Sequence, residues 1–196
     1  MKEFVEGVRD ALKEVFGEKP EGSDDMGKMI NDFHTERMER LISTAGGKII
    51  CGGNVKKEIK YCEPTIILEP DKDSELMKDE IFGPILPVYP YKSVNEAIKM
   101  IKSHDKPLTV YYFGKPNTIT AKRLVEETSS GHFVANEIAT HFFSQYQGFG
   151  GVGASGYGRH GGFEGFKNFS NRKGMTLKSP APPSVNKYLS PPYTDS

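Results

Sequence analysis

Apolar residues first recur at helical spacing in Phe4, Val5, Val8, Leu12, Val15 and Phe16, the stripe of an amphipathic helix. Gly17 is placed to end it, because glycine readily takes the left-handed backbone of a helix C-terminus. Residues 19–28 are polar and glycine-bearing and form a connection. Asn31 or Asp32 then caps a second helix, with a stripe of Met38, Leu41, Ile42 and Ala45 and a stop at Gly46-Gly47.

The period changes after that. Lys48–Cys51 and Thr65–Leu68 are short β-branched runs bounded by Gly or Pro, and both predict strands. Ile85–Tyr91 predicts a third, with Pro87 and Pro90 marking an edge or a bulge. Ser93-Val-Asn-Glu96 is a capping box for a helix carrying Ala97, Ile98 and Ile101 on one face. Leu108–Phe113 predicts a strand, Asn117 caps a helix with Ala121, Leu124 and Val125, and His132–Ile138 predicts another strand. Strands alternating with helices at these lengths imply an α/β fold, a parallel sheet of βαβ units. Such sheets place ligands in loops at the carboxyl ends of strands, and the loop after Ile138 holds Thr140, His141, Phe142 and Phe143. A short helix over Phe163–Ser170, an extended piece over Gly174–Leu177 and a proline-rich arm complete the pattern. The expected organisation is a body over 1–172 and an arm over 173–196.

Charge narrows the partners. Lys plus Arg and Asp plus Glu number 26 each, so there is no basic field for nucleic acid. Two cysteines make no disulfide framework, and five scattered histidines lack metal-ligand spacing. The charged N-terminus has no apolar signal-peptide core, and no run nears the ~20 apolar residues of a membrane span. A cytoplasmic protein without a membrane anchor is the expectation.

Two stretches carry candidate chemistry. In Gly148–Gly158, six of eleven residues are glycine, and Gly151-Val-Gly-Ala-Ser-Gly156 fits the G-x-G-x-x-G spacing. A dinucleotide turn must follow a strand and open a helix. Here Ser144-Gln-Tyr-Gln147 precedes it and Tyr157-Gly-Arg-His-Gly-Gly162 follows, so a structural loop is expected instead. The other stretch is Lys78-Asp-Glu-Ile-Phe-Gly-Pro84 with Ile85-Leu-Pro-Val88. Glu-Ile-Phe-Gly-Pro followed by Phe-Gly-Gly-x-Gly-x-Ser-Gly resembles the aldehyde dehydrogenase superfamily. Glu127-Thr-Ser-Ser-Gly131, Asn136 and Phe169-Ser-Asn-Arg-Lys173 resemble its class 3, fatty-aldehyde-type branch. The likeness runs over nearly the whole chain.

The resemblance implies the C-terminal portion of the catalytic domain with a dimer-forming arm, lacking the dinucleotide-binding domain. By that likeness Glu80 accepts hydrogen bonds from the ribose hydroxyls of NAD or NADP, and Phe82 packs beside the nicotinamide. Phe149 matches an aromatic lining the aldehyde tunnel, or is a core plug around which the glycines fold. His160 matches a histidine near the substrate mouth, in a segment about one residue shorter than in many relatives. Asn136 matches a structural hydrogen-bonder, and Gly148 stands where proline is usual and is expected to loosen the loop.

In the family a cysteine thiolate attacks the aldehyde, hydride passes to the nicotinamide, and a glutamate activates the hydrolytic water. The nucleophile's Gly-Gln-x-Cys and the base's Leu-Gly-Gly do not occur in this sequence. Cys51 and Cys62 read as small hydrophobes. The expectation is therefore a fragment of an oxidoreductase, inactive alone, with no catalytic residue of its own. It would use an aldehyde substrate and form a homodimer or pair with the missing portion. The alternative is a non-catalytic module that pairs with a full-length subunit.

Overall fold

The computed structural model describes residues 1–177 and residue 179; the greater part of the expected arm at 173–196 lies outside them. The chain divides into two compact units that meet in sequence at Ser93 and Val94.

The first unit opens with helix α1, Lys2–Phe16, closed by Gly17 at φ 74°. Helix α2, Asp32–Thr44, starts where the side chain of Asn31 accepts from the His34 amide at 2.9 Å. Of the two residues expected to cap, Asn31 does so because its extended backbone aims the side chain at the free amides.

Strands β1 (Lys48–Cys51), β4 (Thr65–Leu68) and β5 (Ile85–Val88) form one sheet in the order β1-β4-β5. The β1–β4 pair is antiparallel with an irregularity between Ile49 and Cys51, whereas β4 and β5 run parallel, Thr65 opposite Ile85 through Leu68 opposite Val88. Pro87 thus sits on an edge strand, as expected of a residue that cannot donate to the ladder. Strands β2 (Val55–Lys56) and β3 (Tyr61–Cys62) make a small antiparallel hairpin that the sequence pattern did not predict. Two-residue strands carry no readable period.

The core of this unit joins the α2 stripe to the sheet: Met38, Leu41, Ile42 and Ala45 pack with Cys62, Ile67, Leu76 and Ile85. Burying each large aliphatic side chain of this kind contributes about 1.5–3 kcal/mol. Thr35 is fully buried in the same helix, and its hydroxyl donates to the Asn31 carbonyl at 2.8 Å.

The second unit holds helix α3 (Val94–Lys102), strand β6 (Thr109–Tyr112), helix α4 (Ile119–Glu127), strand β7 (His132–Ala135) and helix α5 (Gly162–Asn168). Strands β6 and β7 are parallel, Thr109 opposite His132 through Tyr112 opposite Ala135, with α4 as their crossover. That is the expected βαβ unit. Its helix is capped by Thr118, whose hydroxyl accepts from the Ala121 amide, rather than by Asn117. The single parallel sheet expected from the alternation is instead several small sheets, one of them mixed. Residues 174–177 form no strand. Among the described residues no helix is long and apolar enough to cross a membrane, and no cluster of three potential metal-ligating acids, histidines or cysteines occurs.

Candidate functional site

The segment Glu80–Pro84 leaves a 3-10 turn at Glu75–Met77 and leads into β5. It is held from α2. The Arg37 guanidinium donates to the carbonyls of Ile81 at 2.5 Å and Glu80 at 2.8 Å. Phe82 lies in the left-handed region at φ 48°, and the residue is 73% exposed. A non-glycine residue in that conformation stores strain and persists where its surroundings enforce it. Gly83 supplies part of that enforcement: a Cβ there would lie 2.1 Å from Sδ of the fully buried Met38. The Glu80 side chain is exposed, and its carboxylate makes no hydrogen bond or ion pair among the described residues. A fixed backbone thus presents a free carboxylate and, two residues on, an outward aromatic ring. Two vicinal hydroxyls and a flat heterocycle fit such a pair of groups.

The glycine stretch is a separate construction in the second unit. Phe149 and His160 exchange two backbone hydrogen bonds of 2.8 Å, with their rings 5.5 Å apart. The two residues expected to line the substrate's path are therefore brought together. Phe149 is half-buried, stacked on His132 at 5.0 Å and met edge-on by Phe142 at 4.9 Å. The His141 ring lies 5.0 Å from His132 and 5.5 Å from Phe149. Arg159 pins the loop: its guanidinium donates to the carbonyls of Gly150, Gly151 and Gly131. Burial, then His141 and Arg159, push the His132 pKa below its ordinary value. Beside this ring cluster, His132, Glu137, Thr140, His141, Ser144 and Gln147 line an open polar cleft of about 390 Å³.

The glycines serve packing. A Cβ on Gly151 would lie 1.9 Å from the Ser155 carbonyl oxygen, and one on Gly131 2.2 Å from that of Gly150. The G-x-G-x-x-G spacing closes on itself. Val152 donates to the Ser155 hydroxyl, while the Ser155 and Gly156 amides donate to Val152 and Gly153. With those amides used internally and a three-residue 3-10 turn in place of a helix, the stretch does not fit a phosphate. Gly148, where proline is usual and a looser loop is expected, sits in a tightly packed place. It is buried, and a Cβ would meet Cβ of Glu164 at 2.5 Å and of Arg159 at 2.8 Å.

Asn136, at φ 60°, accepts from the Gly114 amide and donates to the Gly114 carbonyl, both at 2.8 Å. It ties the ends of β6 and β7 together, the structural part expected of it. Cys62 is not a ready nucleophile. Burial, then the Glu63 charge, push the Cys62 thiol up to about 11, and attack requires a thiolate. Cys51 is half-buried within β1, opposite Ile66. Sequence reasoning missed Arg37, His132 and Arg159, which act on main-chain atoms far along the chain and belong to no local motif.

The sequence pattern of the Aldehyde dehydrogenase family matches residues 1–175. Aldehyde dehydrogenase family 3 member A2 of Mus musculus is 39% identical over 194 residues, 99% of this chain and 40% of that protein. Aldehyde dehydrogenase, dimeric NADP-preferring, of Mus musculus is 38% identical over 97% of this chain and 41% of its own length. Among solved structures, the substrate-bound state of Staphylococcus aureus AldH superposes with a TM-score of 0.83 at 33% identity, over 96% of this chain and 42% of that one. A betaine aldehyde dehydrogenase point mutant from Staphylococcus aureus, in complex with NAD+, gives 0.72 at 25% identity, covering 86% and 35%. The chain thus spans about 40% of the length of the curated relatives it matches. It has the α/β fold of these proteins, and it belongs to the aldehyde dehydrogenase family.

Proposed function

We propose that the chain is the C-terminal portion of a class 3-type, NAD- or NADP-dependent aldehyde dehydrogenase, without its dinucleotide-binding domain. The complete enzyme converts an aldehyde to a carboxylic acid. The observation that carries this reading is the Arg37-held loop, which leaves the Glu80 carboxylate and, two residues on, the Phe82 side chain exposed. The Glu80 carboxylate accepts from the two ribose hydroxyls, and the Phe82 ring limits how the nicotinamide end can tilt. When bound, that cofactor supplies the hydride acceptor. Phe149 and His160 line the approach of the aldehyde.

Nucleophile and general base belong to the portion of the relatives that this chain does not span. The high pKa of Cys62 and the absence of Gly-Gln-x-Cys and Leu-Gly-Gly support that assignment. The chain alone is then inactive, and it works as a homodimer or paired with that missing portion in the cytoplasm.

A chimera restoring the missing portion from a class 3 relative tests the site. Glu80→Gln keeps the shape but weakens charge-assisted bonds, so kcat/KM falls roughly ten- to a hundredfold. Acylation of the cysteine by a reactive ester, which needs no hydride transfer, is largely spared. Equal loss of both activities, or of neither, removes the ribose-holding role. Turnover by the chain alone that disappears in Cys51→Ser or Cys62→Ser overturns the inactive-fragment reading.

A second reading, a non-catalytic module that pairs with a full-length subunit, draws on α1. Phe4, Val8, Leu12 and Val15 form one face of that helix, with Phe4 49% and Val15 60% exposed. Stable binding of the chain to an intact enzyme subunit, without any gain of activity in the chimera, favours this alternative.

A further inference from the structure

The glycine loop meets strand β7 through one side chain. His132 begins β7, and its Nε2 accepts the Gly150 N–H at 3.2 Å while its ring stacks on Phe149 at 18° between planes. An acceptor at Nε2 requires the neutral imidazole with its proton on Nδ1. The same loop then folds back through the Phe149–His160 bridge, so whatever holds Gly150 also sets the wall made by Phe149 and His160.

We propose that His132 is a positioning residue for the glycine loop, and that its protonation releases Gly150 and the adjoining Phe149–His160 wall. Protonated, Nε2 becomes a second donor facing the Gly150 N–H, and the hydrogen bond is replaced by a repulsion. The surroundings offer the new charge little. His141 faces it from the turn at 140–143 and Arg159 from the segment before α5, and both disfavour it. Glu137 lines the same cleft, at the end of β7. Thr109 and Tyr111 of β6 approach His141, and the end of α4 contributes Thr128 and the following serines. His160 reaches the stack through Phe149 and Phe142. Arg159 keeps its three carbonyl contacts in either state, so the loop loosens at Gly150 and does not detach.

The assignment concerns the loop in this chain. Its consequence for aldehyde binding rests on the function proposed above. The test uses the 15N-labelled chain, followed from pH 8 to pH 5 by the His132 ring resonances and the Gly150 amide. The Gly150 shift should track the His132 midpoint. Its exchange protection, corrected for intrinsic pH dependence, should fall roughly two- to tenfold across it. His132→Gln retains an uncharged acceptor and should keep Gly150 protected at all pH values. His132→Ala should lose protection throughout. A Gly150 amide that ignores the His132 titration, or an unchanged midpoint in His132→Gln, overturns the proposal. Release at Gly150 with no effect of Phe149→Ala on aldehyde KM in the chimera upholds His132 and sinks the tunnel role of Phe149 instead.

Discussion

The guanidinium of Arg37 holds the main chain at Ile81, 44 residues further along, and at Glu80 beside it. It fixes backbone, not side chains, so the Glu80 carboxylate and the Phe82 ring stay exposed. A loop built this way keeps its aim without consuming its functional groups.

Arg37→Ala therefore leaves two carbonyls unpaired and lets Phe82 relax from its left-handed conformation. Stability should fall by about 1–3 kcal/mol, the range for losing hydrogen bonds to a charged donor. Arg37→Lys should recover part of the loss, since one ammonium cannot span both carbonyls as the planar fork does. Urea midpoints of the three proteins, with unchanged slopes, decide it. Equal midpoints would mean that the loop is held by other contacts.

Gly151→Ala tests whether the glycine stretch is a packing device. The added methyl has 1.9 Å to the Ser155 carbonyl oxygen, a main-chain atom that cannot swing away. The expected cost is about 1–3 kcal/mol, typical of overpacking. Gly174→Ala has open space and should be neutral, serving as the control. Thermal denaturation of both variants reads the difference.

The α4 cap separates two adjacent residues. Thr118→Ala removes the oxygen that accepts from Ala121 and should cost about 0.5–2 kcal/mol. Asn117→Ala should be within a few tenths of neutral. Equal effects in a denaturant titration would restore Asn117 as the cap.

Alkaline stability reports on Cys62. Its folded pKa, about 11, lies above the ordinary 9.0, so folding keeps a proton that the unfolded chain releases. That contribution is whole below pH 9 and is lost between about 9 and 11, at up to about 1.4 kcal/mol per pH unit for one proton. Cys62→Ala should lower overall stability but flatten this part of the pH curve relative to wild type. In the native chain Cys51 should react with iodoacetamide before Cys62, which is 1% exposed.

On the acid side the sign reverses. His132 has a depressed folded pKa, so the unfolded chain takes up the proton first. Stability should begin to fall below about pH 6.5 and continue to the lower folded value. His132→Gln should remove that share of the acid loss, measured as the difference between the two chains at pH 7.5 and pH 5. Parallel curves would assign the loss to the other histidines.

What the amino-acid sequence determined by itself is local. The stripe of Met38, Leu41, Ile42 and Ala45 makes α2 a helix with a buried face, and Asn31 starts it through an amide three residues away. The parallel β6–α4–β7 unit was legible for the same reason: its periods are short and its crossover leaves few topologies. Glu80, Phe82, Phe149 and His160 were legible as candidates through their motifs, though not through any contact. Tertiary structure decided the rest. The antiparallel pairing of β1, the β2–β3 hairpin and the split into small sheets depend on which strands meet, and no run of four residues encodes its partner. Arg37 on Ile81, Arg159 on Gly131 and His132 on Gly150 bind main-chain groups that residue types share, proline's missing N–H apart. A side chain reaching for a backbone atom leaves no complementary residue in the sequence, so only the folded chain reveals the pair.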